Sequence, residues 1–457
     1  MIIMKFGGTS VKDADAMKKV IQIISKHKSE KATVVLSAAS GMTDKLIDLI
    51  INSPERSLKS SNKIIDEIEN HHLNIIKNLI SESILKEIAT KKVQILINEL
   101  RRLVEGVLLL KECTNRNLAQ AESYGELLST TIFNYACQSY DLKSEFLDAR
   151  NVMKTDSNYL NAKVDNSLVR KNFKKIKNLF KINDFVITQG FIGSDKKGIT
   201  TTLGRGGSDF SAAVFGASSD AKEIQIWTDV SGVLTTDPRI DKRARTIPVI
   251  SNAEIRELSF YGAKVLHPDT IKPAVEKNIP VRILNTYKPN DHGTLVLNNL
   301  EKTSPEFHSV ILKQNCLECK VEIPTKENSQ KYFAEKISAI NKLNLNILYS
   351  ACTEGNIVLI IGPGEQRKKR IRQILNKDII EFKLVSLICL SGSQIHTSEQ
   401  KSQEKSKLLK DFHILVSKLK INQIIYGVSP VSILMLSDIK EGMSVLKKIH
   451  SFILQNF

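Results

Sequence analysis

The sequence predicts an α/β protein in which a three-layer αβα sandwich, built on a mainly parallel sheet, is followed by two small α+β units. Three observations lead to this fold class. The chain has 457 residues, more than a single domain usually contains. Short apolar runs alternate with amphipathic helical patterns over residues 1–298. Beyond that point a weak internal repeat replaces the alternation, which indicates a different architecture.

The predicted strands of the first part are short apolar runs separated by helical segments. These runs lie at residues 2–6, 32–36, 145–147, 185–188, 223–227 and 281–284. A helix is expected from about Thr43, and a long helical stretch covers residues 61–140. Strands separated by helices favour parallel pairing, with crossover helices on both faces of the sheet. Residues 1–298 are therefore predicted to form one three-layer domain.

The repeat in the second part has the order helix, hairpin, helix. It places hairpin strands at residues 346–351 with 356–361, and at 422–428 with 431–436. The flanking helices are expected at 330–343, 366–376, 403–419 and 440–454. Each repeat is typical of a ferredoxin-like unit. After a polar linker near 298–306, residues 299–382 and 383–457 are thus predicted to form two regulatory units.

The net charge of the chain indicates which partners to expect. Lysine and arginine outnumber aspartate and glutamate by 66 to 49, which gives a formal charge of +17. The lysines are scattered and aromatic residues make up only 6%, so nucleic-acid binding is not expected. The charge suits anionic small substrates or reflects only the composition of the genome. No apolar run approaches the roughly 20 residues of a membrane span, and the N-terminus does not resemble a signal peptide. A cytoplasmic protein without a membrane partner is expected.

The six cysteines do not form a recognisable metal motif. Cys316 and Cys319 make a CxxC pair, but a structural zinc site normally needs a second close pair, which the chain lacks. Free cysteines in a reducing compartment are therefore expected, and no metal ligand is assigned.

Two glycine-rich segments contain the residue types that bind phosphate and carboxylate groups. Lys5 ends a predicted strand and is followed by Gly7 and Gly8, so a cation and backbone amides can approach phosphate. Lys5 would neutralise the charge that develops during phosphoryl transfer. In the segment TTLGRGGSD (201–209), Arg205 can bind a carboxylate through two parallel hydrogen bonds. Arginine and Asp209 together favour a functional loop over a simple turn.

Two later segments carry further candidate contacts. In residues 227–239, Asp229 and Asp237 could accept hydrogen bonds from ribose hydroxyls or hold metal-bound water, and Arg239 could approach phosphate. In residues 262–268, Lys264 is another candidate cation for phosphate. Both segments also suit ordinary turns, so neither predicts a function by itself.

Seven segments together closely resemble the aspartate kinases of the amino-acid kinase superfamily. They are KFGGTS (5–10), VVLSAASGMT (34–43), YGELLST (124–130), QGFIG (189–193), TTLGRGGSD (201–209), TDVSGVLTTDPR (228–239) and GAKVLHP (262–268). The motifs occur in order over about the first 290 residues. The two small units resemble ACT domains, through which many aspartate kinases sense end-product amino acids.

The resemblance implies a role for each matching residue. The residues expected in catalysis are Lys5 and Asp209. Those expected to bind the amino-acid substrate, with Arg205 on its α-carboxylate and Glu126 facing its ammonium group, are Thr43, Glu126, Phe191, Arg205 and Ser208. Those expected to contact ATP are Lys5, Gly7, Gly8, Ser37, Thr228, Asp229, Asp237, Arg239 and Lys264.

The reaction implied by the resemblance is transfer of the γ-phosphoryl group of ATP, brought with Mg²⁺, to the β-carboxylate of L-aspartate. Its products would be 4-phospho-L-aspartate and ADP, the first step toward lysine (through diaminopimelate), threonine and methionine. A homodimer and an end-product amino acid as effector at the ACT units are also implied. Two alternatives stay open: a related kinase with another carboxylate substrate, and a catalytically inactive amino-acid sensor built on the same fold.

Overall fold

The structure is a computed structural model that describes residues 1–263, 266–298, 300, 307–325, 327–362, 368–375, 379–393, 395 and 403–456. The chain packs into two compact units. The first contains Met1–Val233 and His267–Asn298, and the second contains Leu234–Leu266 and Asn299–Phe457. Each unit is therefore assembled from two separate stretches of sequence.

Strands and helices form at most of the positions that the hydrophobic patterns predict. The strands are β1 (Ile2–Phe6), β2 (Ala32–Leu36), β3 (Ser144–Leu147), β4 (Phe185–Gln189), β5 (Ile192–Ser194), β6 (Thr200–Thr202), β7 (Ile224–Thr228), β8 (Val249–Ser251), β9 (Val281–Asn285), β10 (Thr294–Leu297), β11 (Ser309–Glu322), β12 (Ile347–Cys352), β13 (Asn356–Ile361), β14 (Ile379–Ser391), β15 (Gln423–Ser429) and β16 (Ser432–Asp438). The helices are α1 (Ala14–Ser25), α2 (Met42–Ile51), α3 (Leu58–Leu79), α4 (Ser83–Leu110), α5 (Asn115–Ser139), α6 (Asn166–Ile176), α7 (Gly207–Ser219), α8 (Asn252–Tyr261), α9 (Lys272–Val275), α10 (Ser329–Asn341), α11 (Lys368–Leu375), α12 (Gln403–Ser417) and α13 (Gly442–Gln455). Within the described residues, no helix combines the length and the apolar character that crossing a membrane requires.

The main sheet of the first unit has the strand order β3-β4-β2-β1-β7-β9-β10. Pairing is parallel from β3 to β9, and β10 runs antiparallel to β9. Every residue of the central strands β1, β2 and β4 is buried, as expected for parallel strands covered on both faces. The predicted mainly parallel sheet is confirmed.

The register of this sheet brings four loops to one edge. Phe6 pairs with Leu36 on one side and with Trp227 on the other, and Leu36 pairs with Gln189. The carboxyl ends of β1, β2, β4 and β7 therefore lie side by side. In open α/β sheets this edge is where ligands bind.

Two groups of helices cover the sheet and complete the three-layer sandwich. In one group, α7 packs on β1, β2 and β7 and contacts α6 and α9. In the other, α5 packs on β2, β3 and β4 and contacts α2, α3 and α4. The predicted helical stretch at 61–140 is thus three helices, and the last begins at a capping box formed by Thr114 and Asn117.

The second unit is built on one antiparallel sheet with the order β12-β13-β11-β14-β16-β15. The two predicted hairpins are confirmed as β12 with β13 and β15 with β16. The long strands β11 and β14, which pair antiparallel at the centre, join the two repeats into a single sheet. Two ferredoxin-like units therefore share one hydrogen-bonded framework.

The CxxC pair lies at the centre of this sheet. Cys316 and Cys319 are free and buried on β11. Cys319 packs in a cluster with Leu317 and Tyr332, whereas Cys316 packs in another with Tyr261 and Leu348. Burial raises the pKa of the Cys316 thiol to about 11 and that of Cys319 to about 12. Both residues act as small apolar core side chains.

A buried histidine anchors residues 234–266 within the second unit. Nδ1 of His450, on α13, donates to Oδ2 of Asp241 at 2.9 Å, and its Nε2 lies 2.9 Å from the hydroxyl of Thr235. The Thr236 hydroxyl also donates to the carbonyl of Val310 at 2.8 Å. These contacts explain why a segment predicted to belong to residues 1–298 packs with the C-terminal half.

The three domains predicted from the sequence, with limits at residues 298 and 382, stay a prediction. The packing of the chain divides it differently, because residues 234–266 pack with the second unit. The limit between 382 and 383 also falls inside the continuous strand β14 (Ile379–Ser391).

Replacing His450 with alanine should lower the free energy of unfolding of the second unit by about 2–4 kcal/mol. The change empties a fully buried position and removes one partner of the Asp241 carboxylate. Denaturant unfolding followed by circular dichroism measures the loss. The control is His413→Ala, an exposed histidine on α12 of the same unit. Equal losses in the two variants would contradict the anchoring role.

Candidate active site

A cavity of about 570 Å³ opens at the carboxyl edge of the parallel sheet. Its wall is formed by the end of β1, the loop between β2 and α2, helix α5, and the loop between β6 and α7. The wall contains every predicted catalytic and substrate residue and, in addition to Lys5, two predicted ATP contacts, Gly8 and Ser37. The catalytic and substrate residues are Lys5, Thr43, Glu126, Phe191, Arg205, Ser208 and Asp209. Residues that are distant in the sequence thus meet in one cavity of the first unit.

An ion pair between Lys5 and Asp209 connects β1 to α7. Nζ of Lys5 lies 2.6 Å from Oδ1 of Asp209, and the two side chains are only 11% and 18% exposed. Asp209 lies in the first turn of α7, where the helix dipole favours a negative charge. Because water screens this pair only weakly, it fixes the position of the lysine cation in the cavity wall.

The two glycines after β1 have different contacts. The N–H of Gly7 donates to the carbonyl of Trp227 at 3.1 Å, which joins β1 to β7 behind the cavity wall. Gly8 lines the cavity, and a Cβ added to it would lie 2.9 Å from the carbonyl oxygen of Ala38. Only glycine allows this close approach of two loops. The amide of Gly7 is thus engaged within the sheet.

The loop before α7 holds Arg205 between two glycines in the left-handed region. Gly204 has a φ of 74° and Gly206 a φ of 73°, values that glycine adopts without strain. A Cβ on Gly206 would also lie 2.6 Å from Cγ2 of Thr270. Arg205 is exposed at the cavity, and none of the described carboxylates forms an ion pair with it. Its guanidinium is therefore available to a carboxylate ligand.

The turn after β4 packs directly against the start of α7. A Cβ on Gly190 would lie only 2.8 Å from Cα of Ser208. The next residue, Phe191, has a left-handed φ of 66°, and its N–H donates to Oγ of Ser211 at 3.0 Å. A bulky residue in this region costs about 1–3 kcal/mol, and such strain is concentrated at functional sites.

Glu126 points into the cavity from α5 and is only 3% exposed. Its Oε1 accepts a hydrogen bond from the N–H of Ala38 at 3.1 Å. Its Oε2 is buried and has no hydrogen-bond partner among the described residues. Burial raises the pKa of Glu126 to about 8, although the Ala38 amide and the more distant charge of Lys5 act in the opposite direction. The cavity thus contains a carboxylate oxygen that suits a cationic group.

Sequence reasoning missed Glu122, which lies one helical turn before Glu126. It also lines the cavity, and it is only 7% exposed. Burial raises its pKa, against the effect of a hydrogen bond from the hydroxyl of Thr202. The i, i+4 spacing of the two glutamates on a predicted helix was the available signal, since such residues share one face. Asp44, at the start of α2, is another wall residue that was not predicted.

The remaining predicted ATP contacts are divided between the two units. In the first unit, Thr228 ends β7 and its hydroxyl donates to Oδ1 of Asp229 at 3.1 Å. In the second unit, Nη2 of Arg239 lies 2.6 Å from Oδ2 of Asp237, and this hydrogen bond lowers the pKa of the carboxyl group. Lys264 lies outside the described residues.

Comparison with known proteins gives the same family from sequence and from structure. The model of the amino acid kinase family matches residues 1–285. The chain is 31% identical to the lysine-sensitive aspartokinase 3 of Escherichia coli, over 99% of this chain and 98% of the relative. It is 32% identical to the chloroplastic aspartokinase 1 of Arabidopsis thaliana, over 98% of this chain and 79% of the relative.

Solved structures extend the likeness to both units. The crystal structure of E. coli aspartokinase III in complex with lysine and aspartate superposes with a TM-score of 0.83 at 29% identity, covering 99% of both chains. The same enzyme in complex with aspartate and ADP gives a TM-score of 0.75, with 99% of this chain and 100% of the other covered. The full-length similarity, together with the motifs gathered in the cavity, establishes that this chain belongs to the aspartokinases, within the amino acid kinase family.

Proposed function

We propose that the cavity of the first unit binds L-aspartate beside the γ-phosphate of ATP and brings the two into line for phosphoryl transfer. The chain is an ATP-dependent kinase whose acceptor is a carboxylate, with 4-phospho-L-aspartate and ADP as products. The observation that carries this assignment is one cavity in which an available guanidinium, a buried carboxylate and the Lys5–Asp209 ion pair meet.

The charges in the cavity match the three charged groups of aspartate. Arg205 binds the α-carboxylate through its planar guanidinium. Glu126 accepts hydrogen bonds from the ammonium group with its unpartnered Oε2. The β-carboxylate is then left facing Lys5. Thr43, Phe191 and Ser208 complete the wall around the bound substrate.

Phosphoryl transfer needs positioning and charge neutralisation more than proton transfer. The β-carboxylate is already ionised at neutral pH, because an aspartate side chain has a pKa of about 3.9, so no general base is required. Lys5 neutralises the charge that develops on the transferring group, and Asp209 holds Lys5 in place at 2.6 Å. Because the groups are held in a fixed geometry, less translational and rotational entropy is lost on reaching the transition state.

The residues of the cavity fit a magnesium ion held mainly by the nucleotide. Among the described residues, no group of three or more His, Cys, Asp and Glu side chains could enclose a metal. Mg²⁺ usually keeps several waters and binds one or two carboxylates together with phosphate oxygens. Asp209 is the cavity carboxylate proposed to contribute in this way. The ion would supply further neutralisation of phosphate charge.

The other assignments are parts of the same proposal. Ser37, Gly8 and Thr228 with Asp229 are proposed ATP contacts of the first unit, and Asp237 with Arg239 are those of the second. Gly7 is proposed to support the neighbouring Gly8 through its hydrogen bond to Trp227. Lys264 is proposed as an ATP contact because it lies in the matching segment GAKVLHP (262–268).

The likeness to the aspartokinases also supports proposals about the location, oligomeric state, partners and effector of the enzyme. The protein is proposed to be a cytoplasmic homodimer that binds small molecules and neither nucleic acid nor membranes. An end-product amino acid is proposed as effector of the second unit, because the E. coli relative is lysine-sensitive.

Alanine at Lys5 or Asp209 should lower kcat by about 100-fold or more, because each removes charge stabilisation from the transition state. The measurement traps the acyl phosphate with hydroxylamine and follows the hydroxamate formed with aspartate.

Arg205→Ala should instead raise KM for aspartate, and Arg205→Lys should do so too, since an ammonium group cannot form the paired hydrogen bonds. Normal turnover by the Asp209 variant would contradict the assignment. Hydroxamate with glutamate but not with aspartate would reassign the substrate.

Alanine at Gly190 should lower kcat/KM for aspartate at least about tenfold, because the new Cβ would displace the backbone of Ser208 from the cavity wall. The matched control is Gly106→Ala, at a helical position where an added Cβ meets nothing within 4 Å. That variant should keep wild-type kinetics. Unchanged kinetics in the Gly190 variant would exclude close contact between this turn and the substrate loop.

Lysine, threonine or methionine should inhibit the enzyme if the second unit is a sensor. A cavity of about 360 Å³ in that unit, lined by Phe260, Phe333 and Asn346 among others, is the proposed effector site. Titration of activity with each amino acid tests the idea, and Phe333→Ala should weaken the response while basal turnover is retained. No response to any of the three would remove feedback inhibition from the proposal.

A further inference from the structure

We propose that Glu122 and Glu126 together form the site for the substrate's ammonium group, and that the pair holds one shared proton which is released when aspartate binds. Glu122 thereby becomes a substrate-positioning residue. This inference rests on the proposed function, because it concerns the amino group of the same substrate in the same cavity.

The geometry of α5 places both carboxylates in the wall of one cavity. Glu122 and Glu126 are four residues apart, so they lie one above the other on the same helix face. Both line the cavity, and they are 7% and 3% exposed. Two like charges at this spacing destabilise a helix, and burial increases the penalty. A structural role alone would not favour this arrangement.

Among the described residues, neither of the two carboxylates has a cation as its partner. Glu126 accepts one hydrogen bond from the Ala38 amide, and its Oε2 is without a partner in the described part of the chain. The Thr202 hydroxyl lowers the pKa of Glu122, but it also approaches the carbonyls of Tyr159 and Leu160 at 3.4 and 3.3 Å. Neither glutamate forms an ion pair with any described lysine or arginine, and Lys5, whose charge acts on Glu126, is already paired with Asp209. An ammonium group, with three N–H donors, would satisfy both carboxylates.

The charged groups that face the pair come from four elements. Lys5 on β1 favours the ionised form of Glu126, and the carboxylate of Glu122 opposes it. The same cavity is lined by Asp209 on α7, Arg205 in the loop before α7, and Asp44 on α2. Elsewhere along α5, Tyr124 faces Glu99 and Arg150.

Burial sets the protonation state of the free enzyme. It raises the pKa of both carboxyl groups, that of Glu126 to about 8. Near neutral pH, one proton is therefore retained by the pair. Two interacting acids lose their protons in steps that belong to the pair rather than to either residue. Binding of an ammonium group favours the doubly ionised state and so expels the shared proton.

The dependence of kcat/KM on pH reflects the ionisation of Glu122 and Glu126. Below the pKa of the pair, kcat/KM for aspartate should rise about tenfold per pH unit and then level off, because kcat/KM reports the protonation of the free enzyme. In Glu122→Gln the neighbouring negative charge is absent, so the pKa of Glu126 falls. The rising part of the profile should move to lower pH by at least about half a unit.

The experiment compares pH profiles of kcat/KM for aspartate in the wild type, Glu122→Gln and Glu105→Gln. Glu105 is an exposed residue on the neighbouring helix α4, so its variant should match the wild type. In Glu122→Gln, KM at the plateau should increase about tenfold while kcat stays within about threefold. An unmoved profile with an unchanged KM overturns the proposal.

A second measurement needs no variant and stands even if Glu122→Gln folds poorly. Calorimetry of aspartate binding to the wild type at pH 7, in two buffers of different ionisation enthalpy, counts the protons released. Close to one proton supports the shared-proton pair, and none overturns it. Hydroxamate formation by the wild type distinguishes a failure of this inference from a failure of the proposed function. If aspartate is turned over but no proton is released, only this inference fails, whereas an absence of turnover overturns the proposed function as well.

Discussion

The ion pair between Lys5 and Asp209 is the contact on which the arrangement of the active site depends. It ties the end of the central strand to the first turn of α7, at 2.6 Å and largely shielded from water. The helix start, the glycine loop before it and the turn at Gly190 are then fixed against one another, since added atoms at Gly190 would collide with Ser208. A single charge interaction therefore positions both the cation proposed to contact phosphate and the loop with the guanidinium proposed to bind the substrate.

Most of the first unit could be predicted from its sequence because its signals are local. Apolar runs and helical spacing gave the strands of the parallel sheet, and the shared carboxyl edge then brought Lys5 and the glycine-rich loop together. Glu126 was different. In a helical pattern a glutamate is usually solvated, and only resemblance to a family assigned it to the substrate. The structure buries it, which local periodicity could not reveal, and Glu122 escaped notice because it stands outside the recognised motif.

What escaped prediction in the second unit depends on contacts between distant parts of the chain. The hairpins were visible as neighbouring apolar runs. The pairing of β11 with β14, which merges the two repeats, instead joins strands that are separated by the helices and the hairpin of the first repeat. The packing of residues 234–266 with α13 depends on His450 and Asp241, which are 209 positions apart. No pattern within a short window of sequence records such a pair, so the sequence alone did not indicate this contact.

The split composition of the second unit has a consequence for its independence as a module. Besides the contacts of His450, the capping glutamate of α8, Glu254, pairs with the buried His308. A gene fragment that begins at the linker would encode both histidines without either acidic partner. Recombination at that point would therefore transfer an incomplete second unit. An exchange between relatives that preserves folding has to include residues 234–266, which precede the last strands of the parallel sheet. The coding sequences of the two units therefore have to be inherited together.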